Sequence, residues 1–248
     1  MNRLPPKDQL IMGVNALQEV LRYVPDRLLR VYTVSAQGGK ERKQGLLGEC
    51  EKKGVPIEYV PMDLLTKMAG SDSHQSFVAH IKGRKFWDVV DFLEKMDTKD
   101  RVFVLMLDQI FDPQNFGSLL RTAECFGVDG VVWSKNRGCD LTPTVAKASC
   151  GASELIHLLR ISNLADGIEK FQQNGYEIVA SLADPNAQSC VDFHYAPKTV
   201  LIVGSEGEGI QPLLRKKADR FLYIPLKGKI ESLNVSQAAA VLLSKLLG

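Results

Sequence analysis

The segment LIVGSEGEGI, residues 201–210, joins a short apolar run to a loop that carries three glycines within six positions. A glycine-rich loop directly after a strand is typical of phosphate-binding sites. This loop, however, has neither the lysine of a Walker loop nor the dinucleotide pattern G-x-G-x-x-G. A phosphate about 4 Å from Glu206 or Glu208 would cost about 1–4 kcal/mol, depending on exposure. The glycines therefore serve something other than an anion.

Two interpretations of this loop remain open. Glycine lets the backbone approach a ligand closely or adopt a positive φ, so the loop suits a ligand with a positive centre or one held mainly by backbone groups. Alternatively, it is a plain turn. Its glutamates would then lie near the start of the helix predicted for IQPLLRKKA, residues 210–218, and complement the helix dipole.

Residues 101–248 contain five short apolar runs rich in β-branched or aromatic residues, each separated from the next by a helical pattern. These runs are VFVLML (102–107), GVVW (130–133), YEIVAS (176–181), TVLIVG (199–204) and FLYIPL (221–226). Continuous apolarity predicts strands covered on both faces, and hence a mostly parallel sheet in an α/β domain. Ligands of such sheets bind at the carboxyl ends of the strands, which is where the glycine loop lies.

The first part of the chain has the pattern of a small α/β unit. Apolar residues at helical spacing in GVNALQEVLRYV predict a helix, and RLLRVYTVS (27–35), VPIEYVP (55–61) and SFVAHIK (76–82) predict strands. A polar stretch with one amphipathic helix, WDVVDFLEKM, follows. We therefore predict two domains, residues 1–82 and 101–248, joined by a linker over 83–100.

The composition of the 248-residue chain, 45% apolar and 24% charged, is that of an ordinary globular protein. Five scattered cysteines without CxxC spacing, and four histidines without HExxH spacing, indicate reduced thiols in a cytoplasmic protein and no metal site. No apolar run reaches the roughly 18 residues of a membrane span. We therefore expect no membrane contact.

The charge is unevenly distributed. Residues 1–85 carry 14 Lys or Arg against 9 Asp or Glu, whereas the remainder carries 17 against 20. A basic first part is compatible with an RNA-binding module. On charge alone, a solvated lysine-rich surface is the simpler interpretation.

A second motif, LDQIFDPQNFGSLLRTAECFG (107–127), predicts a turn at Asp112-Pro113 and then a helix that ends at Gly127. Asn115 lies at the helix entrance, where an N-cap is the simplest role for asparagine. Arg121 lies off the apolar stripe, so packing does not require an arginine there. A solvated charge is its simplest role.

The third motif, IPLKGKIESLNVSQAAAVLLSKLL (224–247), contains a long loop and then a helix with one apolar face. The tripeptide SLN, residues 232–234, precedes that helix, and Asn234 with Gln237 fits a capping box. Capping explains neither the long loop nor the small residues at 238–240, which indicate close packing of the helix.

Three segments, in their order along the chain, closely resemble the three motifs of the SpoU family of RNA 2′-O-ribose methyltransferases, in the SPOUT superfamily. They are DPQNFGSLLRTAECFG, LIVGSEGEGI and IPLKGKIESLNVSQAAAVLL. PTVAKASCGASEL (143–155) fits the family too. The segments LIMGVNALQEVLR and HQSFVAHIK resemble the substrate-binding domain of its bacterial ribosomal-RNA members. One departure is Ser76, because the family usually has glycine after His-Gln.

The resemblance implies an α/β fold in which a small α/β RNA-binding domain precedes a C-terminal SPOUT domain with a parallel sheet and a deep trefoil knot. It also implies that S-adenosyl-L-methionine binds in a bent conformation, with Gly204, Ile224 and Leu233 as its main contacts. That ligand carries a sulfonium cation and is held mainly by backbone groups, which suits an acidic glycine loop. The final helix would help to form a homodimer.

The resemblance places five residues at the catalytic site: Asn115, Arg121, Glu206, Ser232 and Asn234. The implied reaction is in-line methyl transfer to a ribose 2′-hydroxyl, in which the protein positions the partners and manages the hydroxyl proton. Arg121 is often proposed as the base, but a guanidinium stays protonated near neutral pH. We therefore expect Arg121, oriented by Asn115 and Glu206, to hold an RNA phosphate. Ser232 and Asn234 would position backbone and ribose.

RNA affinity would come from basic side chains of the first domain, and it should then fall steeply with salt. These residues are Arg22, Arg27, Arg30, Lys40, Arg42 and Lys43. The expected target is a guanosine in 23S ribosomal RNA in the cytoplasm, with no role for DNA. One alternative is methylation of transfer RNA, although those relatives generally lack such a first domain. The other is a non-catalytic RNA-binding assembly factor, which the complete set of five catalytic residues disfavours.

Overall fold

A computed structural model describes the following parts of the chain: residues 8–35, 41–182, 184, 186–205, 207–230 and 232–248, without the side chains of residues 41 and 42. Packing divides the chain into two units. The first comprises Met1–Lys85 with Leu141–Leu155, and the second comprises Phe86–Asp140 with Ile156–Gly248. This division differs from the predicted domain bounds at residues 83–100 and 141–155.

The first unit is built on a four-stranded mixed sheet with the order β1-β4-β2-β3. Its strands are β1 (Gln9–Met12), β2 (Leu28–Thr33), β3 (Ile57–Tyr59) and β4 (Phe77–Ile81). β4 is antiparallel to both β1 and β2, whereas β3 is parallel to β2. Its first three helices are α1 (Val14–Tyr23), α2 (Glu41–Lys52) and α3 (Met62–Ala69). The predicted first helix and the three predicted strands are confirmed, and β1 is an additional strand.

The segment Leu141–Leu155 packs with this first unit although 55 residues of the second unit precede it in the chain. Its helix α6 (Pro143–Ala148) places Ala146 in the same apolar cluster as Leu17 of α1. A Cβ built on Gly151 would lie 3.2 Å from the Ala16 carbonyl oxygen, so the absence of a side chain there permits a close approach to α1. The first unit is therefore assembled from two separate parts of the chain.

The second unit is built on a sheet of seven parallel strands with the order β7-β6-β5-β10-β8-β11-β9. The strands are β5 (Val102–Asp108), β6 (Gly130–Ser134), β7 (His157–Ile161), β8 (Glu177–Ser181), β9 (Gln188–Ser189), β10 (Lys198–Gly204) and β11 (Arg220–Tyr223). The five predicted strands are confirmed as β5, β6, β8, β10 and β11. The additional strands, β7 and β9, lie at the two edges of the sheet, where half-exposed residues interrupt the apolar pattern.

The central strands are buried on both faces, as the continuous apolar runs predict. Every residue of β5 is buried, and so are the five residues from Thr199 to Val203 of β10. The covering helices are α4 (Val89–Met96), α5 (Pro113–Cys125), α7 (Leu164–Gln173), α8 (Pro212–Lys217) and α9 (Val235–Leu247). α4 lies in the predicted linker, but its buried Phe92 belongs to the core of this unit. None of the described helices is long and apolar enough to cross a membrane.

The order of the strands brings separate motifs to one edge of the sheet. β10 lies between β5 and β8, although β8 precedes it in the chain. After β11 the chain returns towards the middle of the sheet, where α9 packs on α5 and β10. Because all strands are parallel, the loops that follow β5, β10 and β11 lie at the same edge. The trefoil knot remains a prediction from the family resemblance.

Candidate active site

The glycine loop after β10 is a tight turn in which each glycine has a separate conformational reason. A Cβ on Gly204 would lie 2.3 Å from the carbonyl carbon of Gly209, a distance that no side chain can occupy. Gly207 and Gly209 have φ values of +89° and +68°, which favour glycine. The Gly209 amide donates to the Ser205 carbonyl at 3.1 Å, so the loop folds back on the end of β10. Glu206, predicted as a catalytic residue, lies outside the described residues.

A buried carboxylate anchors the far end of this loop. Asp108, the last residue of β5, pairs in register with Gly204 and is fully buried. Its two oxygens accept hydrogen bonds from the backbone amide of Gln211 at 2.8 Å and from Gln211 Nε2 at 2.5 Å. Burial raises the pKa of Asp108 above its ordinary value, against the opposing effect of the Gln211 hydrogen bonds. Sequence reasoning missed Asp108, whose signal is an acidic residue at the end of an apolar run.

The second motif, residues 107–127, places Asn115 inside the first turn of α5 and not at its N-cap. Asp112 is the N-cap, and its Oδ1 accepts a hydrogen bond from the Asn115 amide at 2.7 Å. The capping interpretation of Asn115 is therefore wrong. Its side chain has another partner, because Asn115 Oδ1 accepts a hydrogen bond from Asn234 Nδ2 at 3.0 Å.

The third motif uses Asn234 in two ways at once. Its Oδ1 caps α9 by accepting hydrogen bonds from the Ser236 amide at 2.9 Å and the Ser236 hydroxyl at 2.6 Å. Its Nδ2 donates to Asn115, as above. One side chain thus starts α9 and ties it to the first turn of α5. Asn234 is confirmed as the N-cap of α9, and this role does not compete with a place in the site.

The remaining predicted catalytic residues are exposed. Arg121 lies on α5 six residues after Asn115, which corresponds to a rise of about 9 Å and a rotation of about 240°. Within the described part of the chain, no hydrogen bond or ion pair engages its guanidinium, and the helix directs it away from Asn115. Ser232 is exposed in the segment that leads to α9. Among the described residues, the structure therefore joins Asn115 with Asn234, and Arg121 lies nearly two helical turns further along α5.

The predicted cofactor contacts lie in segments with exposed apolar side chains. Ile224, directly after β11, is half-buried, and Leu233 is 36% exposed. Between them, Leu226 is 41% exposed and Ile230 is 78% exposed. Exposed apolar side chains that cluster in one segment are typical of a binding surface. The segments around the glycine loop thus offer backbone groups and uncovered apolar surface together.

The predicted RNA contacts of the first unit differ in how their charges are already used. Arg27 forms an ion pair with the buried Glu154 at 2.7 Å and donates to the Lys82 carbonyl at 2.9 Å. Arg30 forms an exposed ion pair with Glu58. Because both charges are paired within the chain, we expect Arg27 and Arg30 to contribute less to RNA affinity than their positions in the sequence imply.

Two other predicted RNA contacts keep their charges near the surface. Arg22 stacks over the Tyr23 ring at 5.2 Å from its centroid, and Lys43 donates to the Ser76 hydroxyl at 3.0 Å. Lys40 and the side chain of Arg42 lie outside the described residues. In the part of the chain that the structure describes, no three His, Cys, Asp or Glu side chains are grouped to hold a metal ion.

Comparison with known proteins matches both parts of the chain. The model of the SpoU rRNA Methylase family matches residues 102–244, and a model described as RNA 2′-O ribose methyltransferase substrate binding matches residues 10–87. The chain is 32% identical to RlmB of Pasteurella multocida, a 23S rRNA (guanosine-2′-O-)-methyltransferase, over 96% of each protein. It is 31% identical to the RlmB of Escherichia coli, over 95% of this chain and 96% of that protein.

Solved structures share the fold at lower sequence identity. AviRb of Streptomyces viridochromogenes, a SpoU methyltransferase crystallised with AdoMet, superposes with a TM-score of 0.77 at 20% identity, covering 96% of this chain and 88% of that one. An AdoMet-bound rRNA methyltransferase of Sinorhizobium meliloti gives a TM-score of 0.75 at 19% identity, covering 96% and 86%.

Proposed function

This chain belongs to the SpoU rRNA methylase family, and we propose that it transfers a methyl group from S-adenosyl-L-methionine to the 2′-hydroxyl of a guanosine ribose in 23S ribosomal RNA. The hydrogen bond between Asn115 and Asn234 carries the proposal, because it joins two family motifs at the sheet edge where the third one starts. The names of relatives that match nearly the whole chain support the choice of RNA and nucleotide. A ribosomal RNA substrate places the reaction in the cytoplasm.

The residues at this edge fit S-adenosyl-L-methionine. No Lys or Arg occurs from Leu201 to Leu214, so the glycine loop offers backbone groups without a competing cation. Gly207 and Gly209 have open space where a Cβ would lie, and the exposed side chains of Leu226 and Leu233 provide apolar surface for the ligand's purine ring. When bound, the cofactor supplies an electrophilic methyl group on a sulfonium centre. Ile224 and Leu233 would hold it beside the glycine loop.

We assign positioning roles to the predicted catalytic side chains that the structure describes. Asn115 and Asn234 fix each other, so the start of α9 and the segment with Ser232 are held relative to α5. Arg121 is exposed on α5, where its planar fork of donors suits an RNA phosphate. We assign Arg121 to phosphate binding and to polarising the 2′-hydroxyl, and Ser232 to positioning the ribose.

Incubation with methyl-labelled cofactor and unmodified RNA tests the proposal. Wild-type protein should methylate one guanosine of 23S RNA at the ribose, mapped by mass spectrometry of nuclease fragments, and should not methylate transfer RNA. Methylation of transfer RNA alone would replace the proposed substrate. A lack of transfer to 23S RNA, both free and in ribosomal particles, would contradict the proposed reaction and favour a non-catalytic factor.

The role of Arg121 has its own test. Arg121→Lys keeps the charge but loses the bidentate fork, so kcat/KM should fall by at least about tenfold, the size of a lost charge-assisted hydrogen bond. Arg215→Lys is the control, because Arg215 is an exposed arginine of the same unit that pairs with Asp184. Full turnover by Arg121→Lys would rule out the bidentate role.

We also infer that the protein acts as a homodimer through α9 and the segment before it. Val241 on α9 is 37% exposed, and Ile230 presents an even more exposed apolar side chain. Apolar side chains in the centre of a dimer interface are shielded from water by the partner. Sedimentation velocity should show a dimer for wild type and a shift to monomer for Val241→Asp. A monomeric wild type at micromolar concentration would contradict the inference.

A further inference from the structure

A cavity of the second unit lies at the same carboxyl edge of the sheet as the glycine loop. It has a volume of about 390 Å³ and is formed where β6, β7 and the start of α8 meet. Ser134, Asn136, Arg137, Ser162, Asn163 and Gln211 form its polar wall. Leu164, Leu213 and Leu214 form its apolar wall. None of the family motifs singled out in the sequence explains this cavity.

The polar wall is held in place by hydrogen bonds. The Ser134 hydroxyl accepts from the backbone amides of Asn136 and Arg137, both at 3.2 Å, so the loop that carries the arginine is anchored to the end of β6. Asn136 Nδ2 donates to the Ser162 carbonyl at 3.4 Å, which links that loop to the end of β7. Arg137 also donates from Nη1 to Gln211 Oε1. The guanidinium is thus directed along the cavity while it remains exposed.

We propose that this cavity binds one nucleotide of the RNA substrate that flanks the methylated ribose, an inference that rests on the proposed function. Arg137 is the one charged group among the described lining residues, and it suits a backbone phosphate. Asn136 Oδ1 and the Ser162 hydroxyl can pair with the edge of a base, and the leucines can cover its face. The amides of Asn163 and Gln211 are engaged within the chain and shape the wall. The volume lies within the range of small-ligand pockets.

The position of the cavity explains why the flanking nucleotide is the occupant. Gln211 forms part of its wall and comes two residues after Gly209 of the glycine loop. The same Gln211 donates to Asp108, which pairs in register with Gly204. A nucleotide in the cavity would therefore contact Gln211, which follows closely on the loop that we assign to the cofactor. This places it one or a few nucleotides from the reacting ribose.

Two variants of the full-length protein test the proposal with a 23S RNA fragment that the wild type binds. Arg137→Met should lower the affinity for that fragment about tenfold and reduce the slope of log K against log salt by about one. Ser162→Phe fills the cavity from an exposed position, and it should also weaken RNA binding about tenfold while cofactor affinity without RNA stays at the wild-type value. Lys170→Met, which removes an exposed charge from α7 outside the cavity, should change RNA affinity less than twofold.

The outcomes separate this proposal from the proposed function. If wild type methylates the fragment and both cavity variants bind and methylate it as Lys170→Met does, the cavity does not hold a nucleotide and the function stands. If wild type binds the fragment without methylating it and the cavity variants lose binding, the cavity is supported and the function fails. If Arg137→Met binds RNA more weakly but Ser162→Phe binds it normally, Arg137 attracts RNA only as a surface charge. The proposal that the cavity holds a nucleotide would then be wrong.

Discussion

Each unit of the molecule contains a turn with left-handed backbone, but different residues occupy the two turns. In the glycine loop after β10 the left-handed positions are Gly207 and Gly209. In the turn between α3 and β4 of the first unit, they are Gln75 with φ +54° and Ser76 with φ +67°. A residue with a Cβ is strained in this region by about 1–2 kcal/mol, so the second turn retains its side chains at a cost.

The contacts of the two turns explain the difference. In the glycine loop, the backbone of Gly209 occupies the space that a side chain on Gly204 would need, and Gly207 and Gly209 themselves have positive φ values with open space around them. In the other turn, Gln75 Oε1 accepts a hydrogen bond from the Val14 amide at 3.1 Å, which satisfies a donor at the start of α1. Ser76 accepts a hydrogen bond from Lys43. Glycine thus occurs where the backbone packs closely on itself, and side chains remain where they brace a neighbouring element.

Gly204→Ala should have the largest effect. Its Cβ would meet the Gly209 carbonyl carbon at 2.3 Å, and the obstacle is backbone, which cannot turn aside. We expect a loss of about 3 kcal/mol in unfolding free energy. We also expect cofactor binding, measured by calorimetry, to weaken by at least about a hundredfold, the equivalent of about 2.7 kcal/mol.

Gly45→Ala, in α2 of the first unit, is the control. A Cβ there would meet nothing within 4 Å, so cofactor affinity should stay close to wild type and stability should not fall. Wild-type cofactor affinity in Gly204→Ala would mean that the ligand does not depend on the conformation of the glycine loop.

Asp108→Asn should have the next largest effect, because it weakens the anchor of the same loop. An asparagine amide would face two donors of Gln211, and a donor left unsatisfied in this buried place costs about 1–3 kcal/mol. Urea denaturation at neutral pH should measure this loss. Asp100→Asn, a change at an exposed position of the same unit, is the control and should have little effect.

The pH dependence of Asp108→Asn has a definite sign. Because the folded-state pKa of Asp108 is raised, the folded protein binds more protons than the unfolded chain between that value and the ordinary aspartate pKa of about 3.9. The contribution of Asp108 to unfolding free energy therefore increases as the pH falls through this window, and asparagine lacks that contribution. The difference between wild type and variant should grow on acidification. A difference that shrinks would contradict the raised pKa.

Asn234→Asp should separate the two roles of Asn234. Aspartate caps a helix as well as asparagine does, so Asn234→Asp should lose only the hydrogen bond to Asn115, about 1 kcal/mol, whereas Asn234→Ala should lose the cap as well, about 2 kcal/mol in all. Aspartate cannot donate to Asn115 Oδ1, so methyl transfer should fall at least about tenfold, the size of one lost hydrogen bond. Asp88→Ala removes the N-cap of α4 and should lower stability without lowering activity. Wild-type activity of Asn234→Asp would show that the tie between α5 and α9 is not needed.

The sequence predicted features that depend on neighbouring residues and missed those that depend on distant ones. Continuous apolarity was sufficient for β5 and β10, and glycine spacing was sufficient for the loop that follows β10. β7 was missed because Arg160 and half-exposed neighbours break its apolar run at the edge of the sheet. The packing of α6 with the first unit, and the burial of Asp108, depend on residues far away in the chain. No local pattern in a single sequence records such contacts.

Ser76→Gly should have the smallest effect on stability. The sign of that effect shows whether backbone strain or the side-chain contact matters more in the turn between α3 and β4. Glycine relieves the left-handed strain at φ +67° but loses the hydrogen bond from Lys43 at 3.0 Å, so stability should rise by a net of about 0.5 kcal/mol. Ser73→Gly is the control, because Ser73 lies in the preceding 3₁₀ turn without a positive φ, and glycine there should lower stability by a similar amount. Thermal unfolding of both variants measures the two signs. If Ser76→Gly also lowers stability, the contact with Lys43 outweighs the strain, and this turn keeps its serine because the side chain is needed and not because the strain is small.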